Sequence, residues 1–245
     1  MKKLLCLLLC AVSLSVFSQG KTIYRVNVLK PKAGMKSAFE EAWKTHLAKF
    51  HNISDKRNVY EVTTGPESGS YVIVEGPISY ADMDVEKPNT KEHALDIEKN
   101  FTPKLETTTN AMYRWVDTLS YHGDTKGEKF VLTSTVLHDG KTGEYMTELR
   151  RSYLISTKIN APGAGNNYVK LFAGSSPTIV GVRILKDGFK ELDADYYKMD
   201  RNSFKDAYIK DYGQDGWDKR VKLLVDDVVI RTQHFEKFRA DLSSK

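Results

Sequence analysis

Cysteine is missing from almost the whole chain. Of 245 residues only Cys6 and Cys10 are cysteines, and both fall in the first ten. Past that point no disulfide, thiol nucleophile or thiolate metal site can form. The chain also lacks an apolar run of the roughly 20 residues that span a bilayer. Its longest, Leu4 to Phe17, is short and is interrupted by Ser13 and Ser15. Basic residues do not cluster beyond Arg150-Arg151, and no block interleaves them with aromatics, which argues against a nucleic-acid partner. None of the six histidines stands in an HxH or HExxH pair, so the sequence offers no metal site. There is no GxSxG and no P-loop. Gly163-Ala164-Gly165-Asn166-Asn167 is glycine-rich but reads as a loop between helix and strand, the wrong order for cradling phosphate.

What is present begins with Met1-Lys2-Lys3, the apolar run, and then Val16-Phe17-Ser18-Gln19. A basic start, a short apolar core and small residues at a junction predict a secretory signal over residues 1–18, cleaved after Ser18. A lipid anchor at Cys10 is disfavoured by the bulky Leu9 before it, so no stable membrane anchor is expected. An exported protein without cysteine points to a bacterial periplasmic or secreted protein. Loss of the leader removes Lys2 and Lys3 and no acid. Lys plus Arg then falls from 37 to 35 against 32 acidic residues, and the net charge from +5 to +3.

The remainder repeats itself with a period near 107–109 residues, read over 19–119 and 129–245 with a polar linker at 120–128. The first copy opens with Ile23–Leu29, which alternates polar and apolar as a strand does. A helix follows with Met35, Phe39, Ala42, Trp43, Leu47 and Phe50 on one face, then strands at 58–64 and 71–76. The second copy has strands at 130–136, 168–173 and 178–185 and a helix carrying Tyr145, Met146, Leu149 and Tyr153. Tyr80-Ala81-Asp82-Met83-Asp84 matches Phe189-Lys190-Glu191-Leu192-Asp193. Each copy then has a second helical stretch and a last strand, at 112–119 and 228–235. The predicted fold class is α+β: two ferredoxin-like β-α-β-β-α-β repeats packed sheet to sheet as a fused pseudo-dimeric barrel.

This order of elements resembles the dimeric α+β barrel superfamily, which includes antibiotic-biosynthesis-type monooxygenases, over nearly all of residues 21–240. The resemblance implies a cleft between two sheets. It does not choose among cofactor-independent oxygenases, heme enzymes, isomerases and proteins without a known reaction. Heme-degrading members use an Asn on the first strand, a Trp in the sheet and a His on the second helix. Asn27 and His93 sit at the first and last of these places, while the second and third strands carry no Trp, only Tyr60 and Tyr71. Heme is therefore a minority expectation beside no cofactor.

In β-strand alternation, Tyr24, Val26 and Val28 form one face of the first strand, and Arg25 and Asn27 the other. If helices pack on the first set, Arg25 and Asn27 enter the cleft, with Glu61 and Glu75 as partners for the arginine. Tyr113, Trp115 and Asp117 share a face of the first copy's last strand and suit a flat ligand. The expected ligand-binding set is Arg25, Asn27, His93, Tyr113, Trp115 and Arg231. The expected function is an exported protein binding a small flat or apolar molecule between its sheets, as a monomer with an internal pseudo-dimer or as a homodimer. The alternatives are a monooxygenase-like enzyme and a non-enzymatic envelope protein that binds a partner through its surface.

Overall fold

The computed structural model describes residues 20–51, 56–85, 90–121, 127–172, 177–197, 200 and 202–244. The leader expected over 1–18 and residues 122–126 of the linker lie outside these. Among the described residues no helix is long and apolar enough to cross a membrane.

The chain runs β1 (Ile23–Pro31), α1 (Lys36–Phe50), β2 (Arg57–Val62), β3 (Tyr71–Ile78), α2 (Tyr80–Asp84), α3 (Thr90–Asp96) and β4 (Leu105–Trp115). It continues with β5 (Lys129–Leu137), α4 (Thr142–Lys158), β6 (Ala164–Leu171), β7 (Thr178–Leu185), α5 (Ser203–Asp226) and β8 (Val228–Phe238). The eight strands close into one antiparallel barrel in the order β1-β3-β2-β8-β5-β7-β6-β4. Residues 23–115 contribute β4-β1-β3-β2 and residues 129–238 contribute β8-β5-β7-β6, the same order in both halves.

The two sheets face each other as the expected barrel, and they also join along both pairs of edges. Antiparallel edges carry unpaired N–H and C=O groups, and closing the barrel satisfies them. One seam pairs β2 with β8 through Tyr60↔Phe238, Glu61↔Lys237 and Val62↔Glu236. The other pairs β4 with β6 from Met112↔Leu171 to Trp115↔Tyr168.

Alternation then assigns the faces. Leu29, Val59, Tyr71 and Ile73 pack outward against Phe39 and Trp43 of α1 and against Phe101. Tyr24, Val26 and Val28 consequently point into the barrel, the reverse of the arrangement that would bring Arg25 and Asn27 into the cleft. Inside, rings from both halves meet: Tyr24 on Tyr168 at 5.4 Å, Tyr60 on Phe130 at 5.2 Å and Tyr60 on Phe238 at 5.5 Å.

Three boundaries differ from expectation. β4 begins at Leu105, ahead of the strand expected from 112, because its first residues pair with β1 as far as Pro31. Asp117 lies in a 3-10 turn beyond the end of β4 and not on the strand with Tyr113 and Trp115. The supposed loop at 163–167 is strand from Ala164 onward, since Ala164–Val169 pair residue by residue with β7. Distant backbone pairing there overrides the local weakness of glycine as a strand former.

Candidate functional site

The two halves differ most on the outer faces of their sheets, where helices cover them. In the first half the central row reads Asn110–Asn27–Ile73–Val59 across β4, β1, β3 and β2. In the second half the row at the same place reads Gln233–Thr133–Gly181–Asn167 across β8, β5, β7 and β6. Ile73 and Val59 are buried in a core closed by Phe39, Trp43 and Leu242. Glycine and asparagine stand where those two side chains stand, and the layer above is left hollow.

The hollow is a cavity of about 490 Å³ lined by Thr133, Asn167, Gly181, Arg183, Gln233 and Phe235, among others. Gly181 opens its floor: a Cβ there would lie 3.3 Å from Asn167 Oδ1. Elsewhere under the helices of this half, Leu137, Tyr145, Ile179 and Leu223 form a buried apolar cluster with residues of α4 and α5. Phe235 of the lining is packed by Phe189 at 5.1 Å. Arg183 is exposed at the rim, 5.8 Å from the Tyr197 ring, and the Tyr197 hydroxyl donates to the buried Glu191. Gln233 Nε2 donates to Thr133 Oγ1 at 3.1 Å, and Asn167 Nδ2 to the Leu119 carbonyl at 2.6 Å. The lining thus presents one cation, several amide and hydroxyl groups, and an apolar wall. Among the described residues it contains no carboxylate, imidazole or phenol.

The six residues singled out from the sequence fall into separate places. Arg25 and Asn27 lie on the helix side of the first sheet. Arg25 reaches Glu75 at 3.5 Å, the partner expected for it, and Arg57 shares that carboxylate at 3.3 Å. Glu61 is engaged elsewhere, by Lys36 and Arg239. Tyr113 and Trp115 face the barrel interior, where Trp115 Nε1 donates to Asn166 Oδ1 at 3.2 Å. Arg231 is exposed on β8, on the outward face that also carries Gln233. Burial raises the phenol pKa of Tyr24, Tyr113 and Tyr168, and pushes that of Tyr60 up to about 12 with help from the nearby Glu236 charge. The interior therefore holds protonated phenols at neutral pH.

His93, the last of the six, belongs to a cluster that the sequence does not announce. One ligand nitrogen each from His46, His51 and His93 lies within 4.8 Å of the others. His46 and His51 are buried. His46 Nδ1 is 2.6 Å from Asp96 Oδ2 on α3. Burial pushes the His46 pKa below its ordinary value, against the pull of that carboxylate. Trp43, Phe50 and Phe101 surround the three rings. The only signal in the sequence is that His46 continues the buried stripe of α1 three residues after Trp43. His51 lies beyond the helix end and His93 on another helix, so no spacing rule joins them.

These donors bear on the heme expectation. A heme iron is held by a His, Cys, Met or Tyr side chain. Among the described residues the cavity lining has none of these, and the histidine cluster stands in the other half with its rings packed against one another. The hollow therefore offers a heme iron no ligand, while the histidine cluster of the first half holds donors of the kind a heme takes.

No family model matches the chain, and no curated protein does. Solved structures do match in fold. A proposed monooxygenase of Lactobacillus acidophilus aligns over 92% of this chain and 97% of its own, with TM-score 0.53 and 7% identity. An anthrone oxidase-like protein aligns over 91% and 93%, with TM-score 0.53 and 11% identity. The chlorite dismutase of Candidatus Nitrospira defluvii, in complex with imidazole, aligns over 94% and 96%, with TM-score 0.51 and 4% identity. The fold is that of the dimeric α+β barrels, and at these identities the likeness extends to fold alone.

Proposed function

We propose that the protein is an exported, internally duplicated α+β barrel that binds one small molecule in the hollow on the outer face of its second sheet. The observation that carries this reading is Gly181 and Asn167 standing where the first half has the buried Ile73 and Val59. A sheet face under helices is normally filled. A cavity of about 490 Å³ lies within the range of small-molecule sites, and its mixture of apolar wall and a few polar groups suits one. Phe235, Val131 and Leu192 favour a flat apolar body, while Arg183, Thr133 and Gln233 favour an acceptor-rich or anionic edge. The proposed site lies on the opposite side of the sheet from the cleft, where aromatic rings from both halves meet.

Binding without turnover is the reading the lining supports. The oxygenase reading draws on neighbours described as a proposed monooxygenase and as anthrone oxidase-like. Activation of a substrate by proton removal needs a base within hydrogen-bond reach. Arg183, Thr133, Asn167 and Gln233 provide none near neutral pH.

The test is native mass spectrometry of the protein isolated from its own export compartment, beside a Gly181→Val variant. We expect a bound mass of a few hundred daltons in the parent and none in the variant, with both chains folded by circular dichroism. An empty parent, or a ligand held equally well by both, rejects the hollow as the site.

A further inference from the structure

We infer that His46, His51 and His93 bind one divalent first-row transition-metal ion, with Zn2+ the first candidate, and that the ion fastens the end of α1 to α3. This site is in the first half, away from the hollow, and does not depend on the function proposed for it.

The geometry carries the inference. His51 Nε2 lies 3.2 Å from His46 Nε2 and 3.3 Å from His93 Nε2. Two imidazole nitrogens on one tetrahedral Zn2+ at about 2.0–2.1 Å stand about 3.3 Å apart. Each ring nitrogen has either one proton or one lone pair. His51 Nε2 cannot therefore make an ordinary hydrogen bond to both nitrogens that face it. A cation accepts all three lone pairs at once.

The surroundings agree. Asp96 accepts from His46 Nδ1–H at 2.6 Å, which fixes the tautomer with its lone pair on Nε2, toward His51 and away from the carboxylate. A metal-bound histidine ordinarily gives its second N–H to such a partner. Asn100 Nδ2 donates to the other Asp96 oxygen at 2.7 Å and holds the carboxylate in turn. The rings of Trp43 and Phe101 wall the buried side, so His46 and His51 are not free to separate into water. Three neutral imidazoles suit Zn2+, Cu2+ or Ni2+ and not Ca2+ or Mg2+, which take oxygen ligands. They leave one tetrahedral position for water or a small ligand, as in zinc sites that are not closed by four protein donors.

The experiment uses the purified chain after dialysis against a chelator, titrated separately with Zn2+, Cu2+, Ni2+ and Co2+. One equivalent is expected, measured by calorimetry and by metal analysis after gel filtration. Co2+ should give the intense visible bands of a tetrahedral site, and bound Zn2+ should raise Tm. His93→Ala, at the half-exposed member, is expected to abolish stoichiometric binding while leaving the fold intact. Asp96→Asn should keep the stoichiometry and lose roughly 10–100-fold in affinity. His138→Ala, outside the cluster, should change nothing. If none of the four ions binds at one equivalent to the folded chain, the assignment is overturned. Binding that His93→Ala leaves unchanged overturns it equally, since the ion then sits elsewhere.

Discussion

A single guanidinium ties the end of the second half to the first. Arg239, just past β8, donates to Glu40 of α1 at 2.8 Å, to Glu61 of β2 at 2.7 Å, and to both oxygens of Asp241 at 2.8 and 2.9 Å. It holds the Glu40 and Asp241 carboxyls below their usual range. Burial acts to raise Glu61, but Lys36 and Arg239 overcome it and its value is lowered too. A depressed carboxylate contributes stability above its unfolded pKa of about 4 and loses it as pH falls through the lower folded value. Arg239→Gln should therefore cost about 2–3 kcal/mol at pH 7, discounted from a fully buried pair because the groups keep some solvent contact. The difference from the parent chain should be smaller at an acid pH, below the unfolded carboxyl value of about 4, than at pH 7. Urea unfolding at both pH values checks this, and an equal difference at both would refute the linkage. In the sequence Arg239 is one basic residue among many, because its partners lie 199, 178 and 2 positions away. The same holds for the histidines: the stripe of α1 marks His46 as buried, but only the packing of α3 brings His93 to it.

Helices and strands are legible to different degrees. The α1 stripe, the two hairpin strands of the first half and β7 follow from periodicity, since their apolar positions repeat with the element's own period. Which face of β1 is covered does not follow. Helices cover one face and aromatic side chains from across the barrel cover the other, so both faces are half-buried and polarity does not separate them. Alternation alone therefore places Arg25 and Asn27 inside as readily as outside. Gly165 conceals β6 for a related reason, and with it half of the cavity floor. In α5, Tyr208, Trp217 and Leu224 read as one helical stretch, and the structure breaks it at Gly213, with φ 75° and ψ 167°. That region is open essentially to glycine alone and costs other residues about 1–3 kcal/mol. Before the break, Tyr208 donates to the buried Glu148 at 2.6 Å, and after it Arg220 reaches the same carboxylate. Straightening the helix would separate them. Gly213→Ala should lower stability by about 1–3 kcal/mol, read as a lower midpoint in urea with the slope unchanged. A neutral result would mean that the break is not needed to seat Tyr208 and Arg220 together.

At the scale of the molecule, the element order and the barrel are readable but the seams that close it are not. Edge-to-edge joining depends on short seams, three residue pairs between β2 and β8 and four between β4 and β6, which no local pattern encodes. The 3-10 turn Ala240–Leu242 reinforces one of them from outside. Leu242 is fully buried in the core of the first half, and its carbonyl accepts from Trp43 Nε1 at 2.7 Å. Ser243 and Ser244 hydroxyls accept from the backbone N–H groups of Val59 and Arg57. Leu242→Ala should cost about 2–5 kcal/mol, the range for truncating a buried leucine. The loss should appear as greater hydrogen exchange at Val59 and Trp43, far away in sequence. Exchange that rises only near residue 242 would contradict this account.

That turn also fixes an order of assembly. Residues 240–244 follow the last strand of the second half, yet they complete the core of the first. On a ribosome the earlier half waits, with Trp43 and the edge of β2 unsatisfied, until the later half has been synthesised and its last strand has crossed over. The part of the protein that emerges first is the part finished last.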